Sequence, residues 1–165
     1  MSSVSCNVLQ ALELIGVLIT RSGAAVHHST HKANAVITCS MHSEAIANNR
    51  AGDLVMYGRQ IEQAFGLGTD QPTFIGTDSL THDQVLNRQA SANRSKSFLK
   101  CLVIQRGRVR DKSIRVGHIP DEHMPSDFLT KWVNARKLER SIIYSTNPGS
   151  YVSIEQSSSG AWTVA

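Results

Sequence analysis

The chain has few of the features that mark secreted, membrane-spanning or disulfide-framed proteins. Its 165 residues include three cysteines, an odd and scattered number (Cys6, Cys39 and Cys101), which argues against a disulfide framework or a cysteine zinc site. The sequence has no apolar run of about 18 residues, so we expect no membrane span. No basic region precedes the apolar stretch from Val8 to Ile19, which argues against a secretory signal. We therefore expect an intracellular protein, cytoplasmic or nuclear.

Aromatic residues are scarce, and one segment has almost no acidic residues. Between Arg88 and Arg115 the chain carries nine lysines and arginines against a single acid, Asp111, within a net charge of +4. Such a block favours a polyanionic partner such as nucleic acid, although a solvated helix face is the alternative. Since Phe98 is the only aromatic residue in the block, we expect no base-stacking surface there.

One short apolar stretch ends on a carboxylate. Pro72 marks its start, Phe74 and Ile75 read as a buried strand, and the pattern breaks after Asp78 into helix-start residues. In open α/β sheets, functional groups lie beyond the carboxyl ends of the strands. An Asp at this place can hold a metal ion or cap the next helix, and the pattern alone leaves both open.

The remaining patterns predict a mixed sheet with helices around it, an α/β fold of one domain. A hairpin is predicted over residues 17–28, and residues 35–39 continue it or form the next strand. A 3.6-residue stripe from Ala47 to Phe65 predicts a long helix, with Ser40 or Ser43 as its N-cap. Further elements are a short helix over 81–86, a basic helix over 95–109, a strand over 114–119, a helix beginning at Pro125 and one or two helical turns over 138–144.

The two ends of the chain are harder to interpret. Apolar residues from Val8 to Ile15 fit a helix face imperfectly. After Asn147, two glycines, a proline and a serine run predict a mobile tail over 147–165.

Three acids stand at predicted helix starts or strand ends: Glu44, Asp78 and Asp127. Magnesium prefers hard oxygen ligands from a few carboxylates, and two such ions can clamp the attacking and leaving oxygens of a phosphodiester hydrolysis. Spacing alone is a weak signal, because Glu44 and Asp127 also suit the dipole of a first helical turn and Asp78 suits a cap.

From about Gly16 to Tyr144 the chain resembles the ribonuclease H domain of copia-type LTR-retrotransposon Pol polyproteins. Ser40–Ala47 is similar to that family's Ser-Ser-Thr-Glu-Ala-Glu-Tyr segment, and Thr77–Ser79 to its Asp-Asn strand end. Asn93–Lys96 looks like its Arg-Ser-Lys segment. Met124–Trp132 resembles the Ala-Asp-Ile-Leu-Thr-Lys signature, the most specific of the four.

The resemblance implies a ribonuclease H-like mixed sheet flanked by helices over residues 16–146, preceded by a non-matching segment over 1–15. It implies cleavage of RNA in RNA–DNA hybrids by two-metal catalysis, with Mg²⁺ or Mn²⁺ as the cofactor and the reverse transcriptase portion of a parent polyprotein as a partner. The metal-binding, catalytic roles fall on Glu44, Asp78 and Asp127. The nucleic-acid-binding role falls on Arg94, Lys96, Lys100 and Arg106.

The chain departs from this family at its start. The family's first strand carries an Asp, usually the central metal ligand, whereas Glu13 is the only acid here before Glu44. The first strand is therefore expected to be missing or replaced, and hydrolysis to be impaired. Two further departures are Ala45, where the family has Tyr, and Ser97, where it has His.

Four histidines are candidate functional residues. His118 lies nine residues before Asp127, near where many ribonucleases H place a mobile histidine that helps product release. The alternative is an ordinary surface residue at a strand end. His27 and His28 point to opposite faces of a strand, so with His31 they do not predict a zinc site.

Three hypotheses follow. The chain is a ribonuclease H with an incomplete carboxylate set, or a non-catalytic, retroelement-derived remnant that binds nucleic acid through charge. The third is an unrelated α/β interaction domain, which requires the matching segments to occur in order by coincidence.

Overall fold

The structure is a computed structural model that describes residues 2–8, 14–21, 24–33, 37, 39–67, 70–87, 98–146, 154–156 and 162–164. The strands are β1 Ser2–Val8, β2 Leu14–Arg21, β3 Ala24–Lys32, β4 Thr73–Thr77, β5 Ile114–His118, β6 Ile154–Gln156 and β7 Trp162–Val164. The α-helices are α1 Ser40–Ala64, α2 Leu80–Leu86, α3 Leu99–Arg110 and α4 Ala135–Thr146, and two 3₁₀ turns span Asp121–His123 and Asp127–Leu129. None of the helices in these ranges combines the length and apolar character needed to cross a bilayer.

Five strands form one mixed sheet in the order β3-β2-β1-β4-β5. β2 pairs with β1 and with β3 in antiparallel fashion, whereas β1 pairs with β4 and β4 with β5 in parallel. The predicted hairpin and mixed α/β sheet are thereby confirmed. Because β4 is flanked by parallel partners, its carboxyl end meets the end of β5 at one edge, where Thr77 lies opposite His118.

The structure corrects the expectation for the start of the chain. Ser2–Val8 is a strand, and the helix predicted from Val8 to Ile15 is wrong, because Leu14 and Ile15 already belong to β2. The first strand is not missing: β1 occupies the middle of the sheet, hydrogen-bonded to β2 on one side and β4 on the other. Its sequence, Ser-Ser-Val-Ser-Cys-Asn-Val, contains no acidic residue.

The long helix is confirmed, and it packs across the sheet. The small residues Ala45, Ala47 and Ala51 of α1 are fully buried and share a core cluster with Val17 of β2 and Ile75 of β4. Neither predicted N-cap serine caps the helix, because Cys39 holds that position and no side-chain bond is made there. The helix is positioned by burial of its small-residue face, so that backbone and sheet approach closely.

The basic helix α3 packs on α1 through polar contacts. Gln105 is fully buried and donates a hydrogen bond from its amide to the Asn48 carbonyl at 2.6 Å. A Cβ at Gly52 would stand 2.7 Å from the same amide nitrogen. Gly52 therefore lets the two helices meet closely enough to make that bond.

The helix predicted from Pro125 is wrong. Residues Asp127–Leu129 make a single 3₁₀ turn, and α4 begins only at Ala135. The physical reason is a later start signal: the Asn134 side chain accepts a hydrogen bond from the Lys137 amide at 2.8 Å, which is N-cap geometry. The turns predicted over 138–144 are confirmed as part of α4.

Some sequence predictions fall on other parts of the chain. Residues 34–36, 38, 88–97, 147–153 and 157–161 lie outside the described residues, so the continuation of the hairpin over 35–39 is not decided. Within the predicted tail, β6 and β7 pair in antiparallel fashion. The mobility of that tail remains a prediction.

Candidate metal centre

Asp78 follows the last residue of β4, and it does not cap the next helix. That role belongs to Ser79, whose hydroxyl accepts a hydrogen bond from the His82 amide at 3.2 Å. Of the two roles that the sequence allows for Asp78, the capping of the next helix is therefore excluded. The carboxylate of Asp78 is left at the carboxyl edge of the sheet, half-buried and available for a site.

Glu44 reaches the same edge from α1. It lies beyond the first turn of the helix, which contains no acidic residue, so the dipole explanation does not apply to it. Its side chain is 5% exposed, and its Oε2 accepts a hydrogen bond from the Thr77 hydroxyl at 2.9 Å. Thr77 of β4 thus fixes the Glu44 carboxyl beside Asp78.

Glu44 and Asp78 share a proton-dependent contact. Burial, together with the negative charge of Asp78, raises the pKa of Glu44 to about 8. Burial also raises the pKa of Asp78, against a hydrogen bond from Glu44 that lowers it. The pKa values thus favour a protonated Glu44 carboxyl beside an ionised Asp78 in the metal-free protein.

Asp127 is fully buried at the start of the second 3₁₀ turn. Its Oδ2 accepts hydrogen bonds from two ammonium groups, those of Lys131, at 2.7 Å, and of Lys137. Burial raises the pKa of Asp127, while the two lysines act in the opposite direction. The buried negative charge is thus held by two cations of the chain itself.

The structure adds a fourth acid, Asp121, that sequence reasoning missed. It opens the 3₁₀ turn after Pro120, and its two carboxylate oxygens accept from Lys131 at 2.9 Å and Lys137 at 3.0 Å. These hydrogen bonds lower the pKa of Asp121 to about 2. No periodicity or motif marked this residue. The only available signal was a proline-bounded segment six residues before Asp127.

Three of these acids form one cluster, because carboxylate oxygens of Asp78, Asp121 and Asp127 all lie within 4.8 Å of one another. Glu44 adjoins the cluster through Asp78. Among the described residues, the sheet edge therefore gathers all three predicted site acids together with one unforeseen acid.

The donors present suit a hard divalent cation such as Mg²⁺ or Mn²⁺. One atom of the cluster supports this fit. Asp127 is fully buried, and its Oδ1 has no hydrogen-bond partner among the described residues. An unpartnered buried carboxylate oxygen costs free energy unless something binds it. Three carboxyl groups (Asp78, Asp121 and Asp127) also face only two ammonium groups (Lys131 and Lys137). The residues fit the ion.

Among the described residues, no hydrogen bond or ion pair joins the His118 side chain to this cluster. It ends β5 and lies near Asp83, whose pKa is raised by burial and lowered by the neighbouring His118. The product-release role implied by the resemblance remains a prediction.

The predicted nucleic-acid-binding residues have different surroundings. Lys100 is exposed on α3. Arg106 donates two hydrogen bonds to the Val85 carbonyl, at 3.1 and 2.7 Å, and so joins α3 to the end of α2. Arg94 and Lys96 lie outside the described residues.

Comparison with known proteins defines the fold class. Neither a protein-family model nor a curated protein sequence matches the chain. Among solved structures, LC11-RNase H1 in complex with an RNA/DNA hybrid is similar with a TM-score of 0.57 and 22% identity, over 78% of this chain and 93% of that one. A second structure of LC11-RNase H1, isolated from compost, is similar with a TM-score of 0.56 and 22% identity, over 78% and 91%. The chain therefore has the ribonuclease H-like fold.

Proposed function

We propose that this chain is the ribonuclease H domain of a copia-type LTR-retrotransposon Pol polyprotein. It hydrolyses the RNA strand of RNA–DNA hybrids with divalent cations, at a rate well below that of a complete site. Glu44, Asp78 and Asp127 are its catalytic and metal-binding residues. In the parent polyprotein it acts beside the reverse transcriptase portion.

One observation carries the proposal: in a ribonuclease H-like fold, carboxylates from β4 and the segment after β5 meet at one sheet edge. Oxygens of Asp78 and Asp127 lie within 4.8 Å of each other, although 49 residues separate them in the sequence. Carboxylates gathered this closely repel one another, and such a cluster suits a cation-dependent hydrolytic site better than a structural one.

When bound, the cation supplies Lewis-acid charge and an activated water for phosphodiester hydrolysis. The chain's own residues prepare the place for it. Thr77 orients the Glu44 carboxyl beside Asp78. Lys131 and Lys137 neutralise Asp127 until a cation and a phosphate arrive.

The basic segment provides the surface for the substrate. Lys100, together with Arg94 and Lys96, binds backbone phosphates. Arg106 contributes positive charge while its guanidinium remains hydrogen-bonded to the Val85 carbonyl. Recognition rests on duplex shape and 2′-hydroxyl groups rather than on base sequence. We therefore expect binding that weakens steeply with salt.

The absence of an acid in β1 sets the expected activity. A strand without a carboxylate stands where the family has its central ligand, so the ions are held by fewer ligands. The alternative function is a non-catalytic, retroelement-derived remnant that binds nucleic acid. The contacts of both lysines with Asp127 favour it.

The discriminating experiment uses the full chain and an end-labelled RNA strand in an RNA–DNA hybrid, with Mg²⁺ or Mn²⁺. We expect slow cleavage, its loss in Asp78→Asn, and no change in Asp70→Asn. The control removes the same kind of charge from the exposed segment before β4, at the opposite end of that strand. Double-stranded RNA and DNA substrates should stay intact.

Each result decides between the two functions. Binding of the hybrid without cleavage at any cation concentration supports the remnant and removes the enzyme. Cleavage that survives Asp78→Asn shows that the activity does not come from this site. The copia-type lineage is tested separately, by the presence of an in-frame reverse transcriptase upstream of Met1 in the genomic sequence.

A further inference from the structure

Asp121 is the acid of the cluster that the proposed function does not use. It follows β5 and Pro120, while Asp78 follows β4 and Asp127 opens the second 3₁₀ turn. Three separate segments thus deliver one carboxylate each, with oxygens within 4.8 Å of one another. Asp121 is not among the acids that the resemblance implied.

An independent observation within the same cluster indicates that a ligand binds there. Asp127 is fully buried, yet its Oδ1 has no partner while its Oδ2 accepts from both lysines. Buried carboxylate oxygens are ordinarily satisfied by hydrogen bonds or by a metal ion. No side chain among the described residues satisfies this one.

The lysine contacts show what kind of ligand the cluster accepts. The Lys131 ammonium bridges Asp121 and Asp127, and the Lys137 ammonium bridges the same two acids. Each cation therefore stands between the carboxylates of Asp121 and Asp127. A divalent ion at that place would gain the same two carboxylates and Asp78.

The first strand cannot supply the missing acid. Ser3, Val4 and Ser5 of β1 pair with Phe74, Ile75 and Gly76 of β4, so β1 runs beside β4 towards the Asp78 end. No residue of β1 is acidic. A carboxylate that replaces the family's first-strand ligand must therefore come from another segment.

We infer that Asp121 is a metal ligand that takes over the place of the absent first-strand carboxylate, and that Asp78, Asp121 and Asp127 together bind the divalent cation. The inference rests on the proposed function, because it concerns the same site. It differs from that function in naming Asp121 as a further metal ligand.

The test is Mn²⁺ binding to the full chain by isothermal titration calorimetry at low salt. We expect Asp121→Asn to weaken Mn²⁺ binding roughly tenfold or more, as the loss of a ligand does. The matched control is Glu122→Gln, which removes the adjacent exposed charge without removing a ligand. Asp121→Glu, which keeps a carboxylate, should restore most of the affinity.

The side chain of Asp121 is two-thirds exposed, so its variants should fold, and circular dichroism checks this. If Asp121→Asn fails to fold, the comparison of Asp121→Glu with Asp121→Ser takes its place. Equal affinity in Asp121→Asn and Glu122→Gln overturns the inference, because only a general charge effect would remain.

The failures of the two proposals are distinguishable. Mn²⁺ binding that is lost in Asp78→Asn but unchanged in Asp121→Asn removes Asp121 from the site and leaves the proposed function standing. A wild-type chain that takes up no Mn²⁺ overturns both.

Discussion

Lys137→Met tests whether the lysine ammonium groups compete with a divalent cation for Asp127. In the metal-free protein this change removes one of two ammonium groups from a fully buried carboxylate. Breaking a buried pair outright costs about 3–5 kcal/mol. Because Lys131 remains at 2.7 Å, we expect about half of that loss, or about 2 kcal/mol of unfolding free energy.

In the presence of a divalent ion the direction reverses. A unit charge about 4 Å from a divalent ion repels it by several kcal/mol, even at an effective dielectric constant of about 20. Removal of the Lys137 ammonium should therefore raise Mg²⁺ affinity roughly tenfold or more. The variant is expected to be the less stable protein in chelator and to gain more stability than the wild type as Mg²⁺ is added.

Urea unfolding in chelator and at several Mg²⁺ concentrations measures both effects. Arg136→Met is the matched control, because it removes a neighbouring exposed cation of α4 that makes no recorded contact with the cluster. If Lys137→Met matches Arg136→Met in chelator, the buried ion pair does not stabilise the fold. If its stability responds to Mg²⁺ less than that of the wild type, the lysine helps to hold the ion instead of competing with it.

Three further changes test the fold around the site. Burial lowers the pKa of His82 to about 4, so its contribution to stability is complete above pH about 6.5 and is lost as the pH falls towards 4. Between pH 7 and 4 the wild type should lose about 3 kcal/mol more than His82→Leu in urea unfolding, and parallel curves would contradict this. Lys112 lies just beyond α3 with a φ of 56°, so Lys112→Gly should add about 1 kcal/mol of unfolding free energy; a loss of stability would show that its side chain contributes. Gly52→Ala should cost about 1–3 kcal/mol because its Cβ meets the Gln105 amide, and a neutral result would show that α1 and α3 separate freely.

Local patterns were sufficient for the elements that bury one continuous face. The stripe of α1 repeats with the period of a helix, and Phe74 and Ile75 form a short apolar run after Pro72, so the sequence predicts both elements without knowledge of their partners. Asp78 was placed at a strand end for the same reason, and the structure puts it at the edge where β4 and β5 finish.

The first strand depends on partners that are distant in sequence. Ser2–Val8 is rich in serine, which favours neither helix nor strand, and it becomes a strand by pairing with β2 and β4 on its two sides. A reading of local propensity cannot see that pairing. The resemblance to the ribonuclease H family also did not predict β1, because the residues that carry that resemblance do not occur in it.

The candidate site was predicted in part for a similar reason. Motifs marked Glu44, Asp78 and Asp127 individually, and the fold brought them together. Asp121 joins them only because two short 3₁₀ turns fold the segment after β5 back onto its own lysines. No periodic pattern records that path.

The central claim is that acids from separate segments form one divalent-cation site, and the melting temperature of the full chain in rising Mg²⁺ tests it most directly. An ion at about 100 times its dissociation constant adds about 2.7 kcal/mol to a folded state that alone binds it, which corresponds to roughly 5–10 °C for a chain of this length. We predict such a rise for the wild type and none for Asp78→Asn. A wild-type melting temperature that stays constant through millimolar Mg²⁺ would contradict the account.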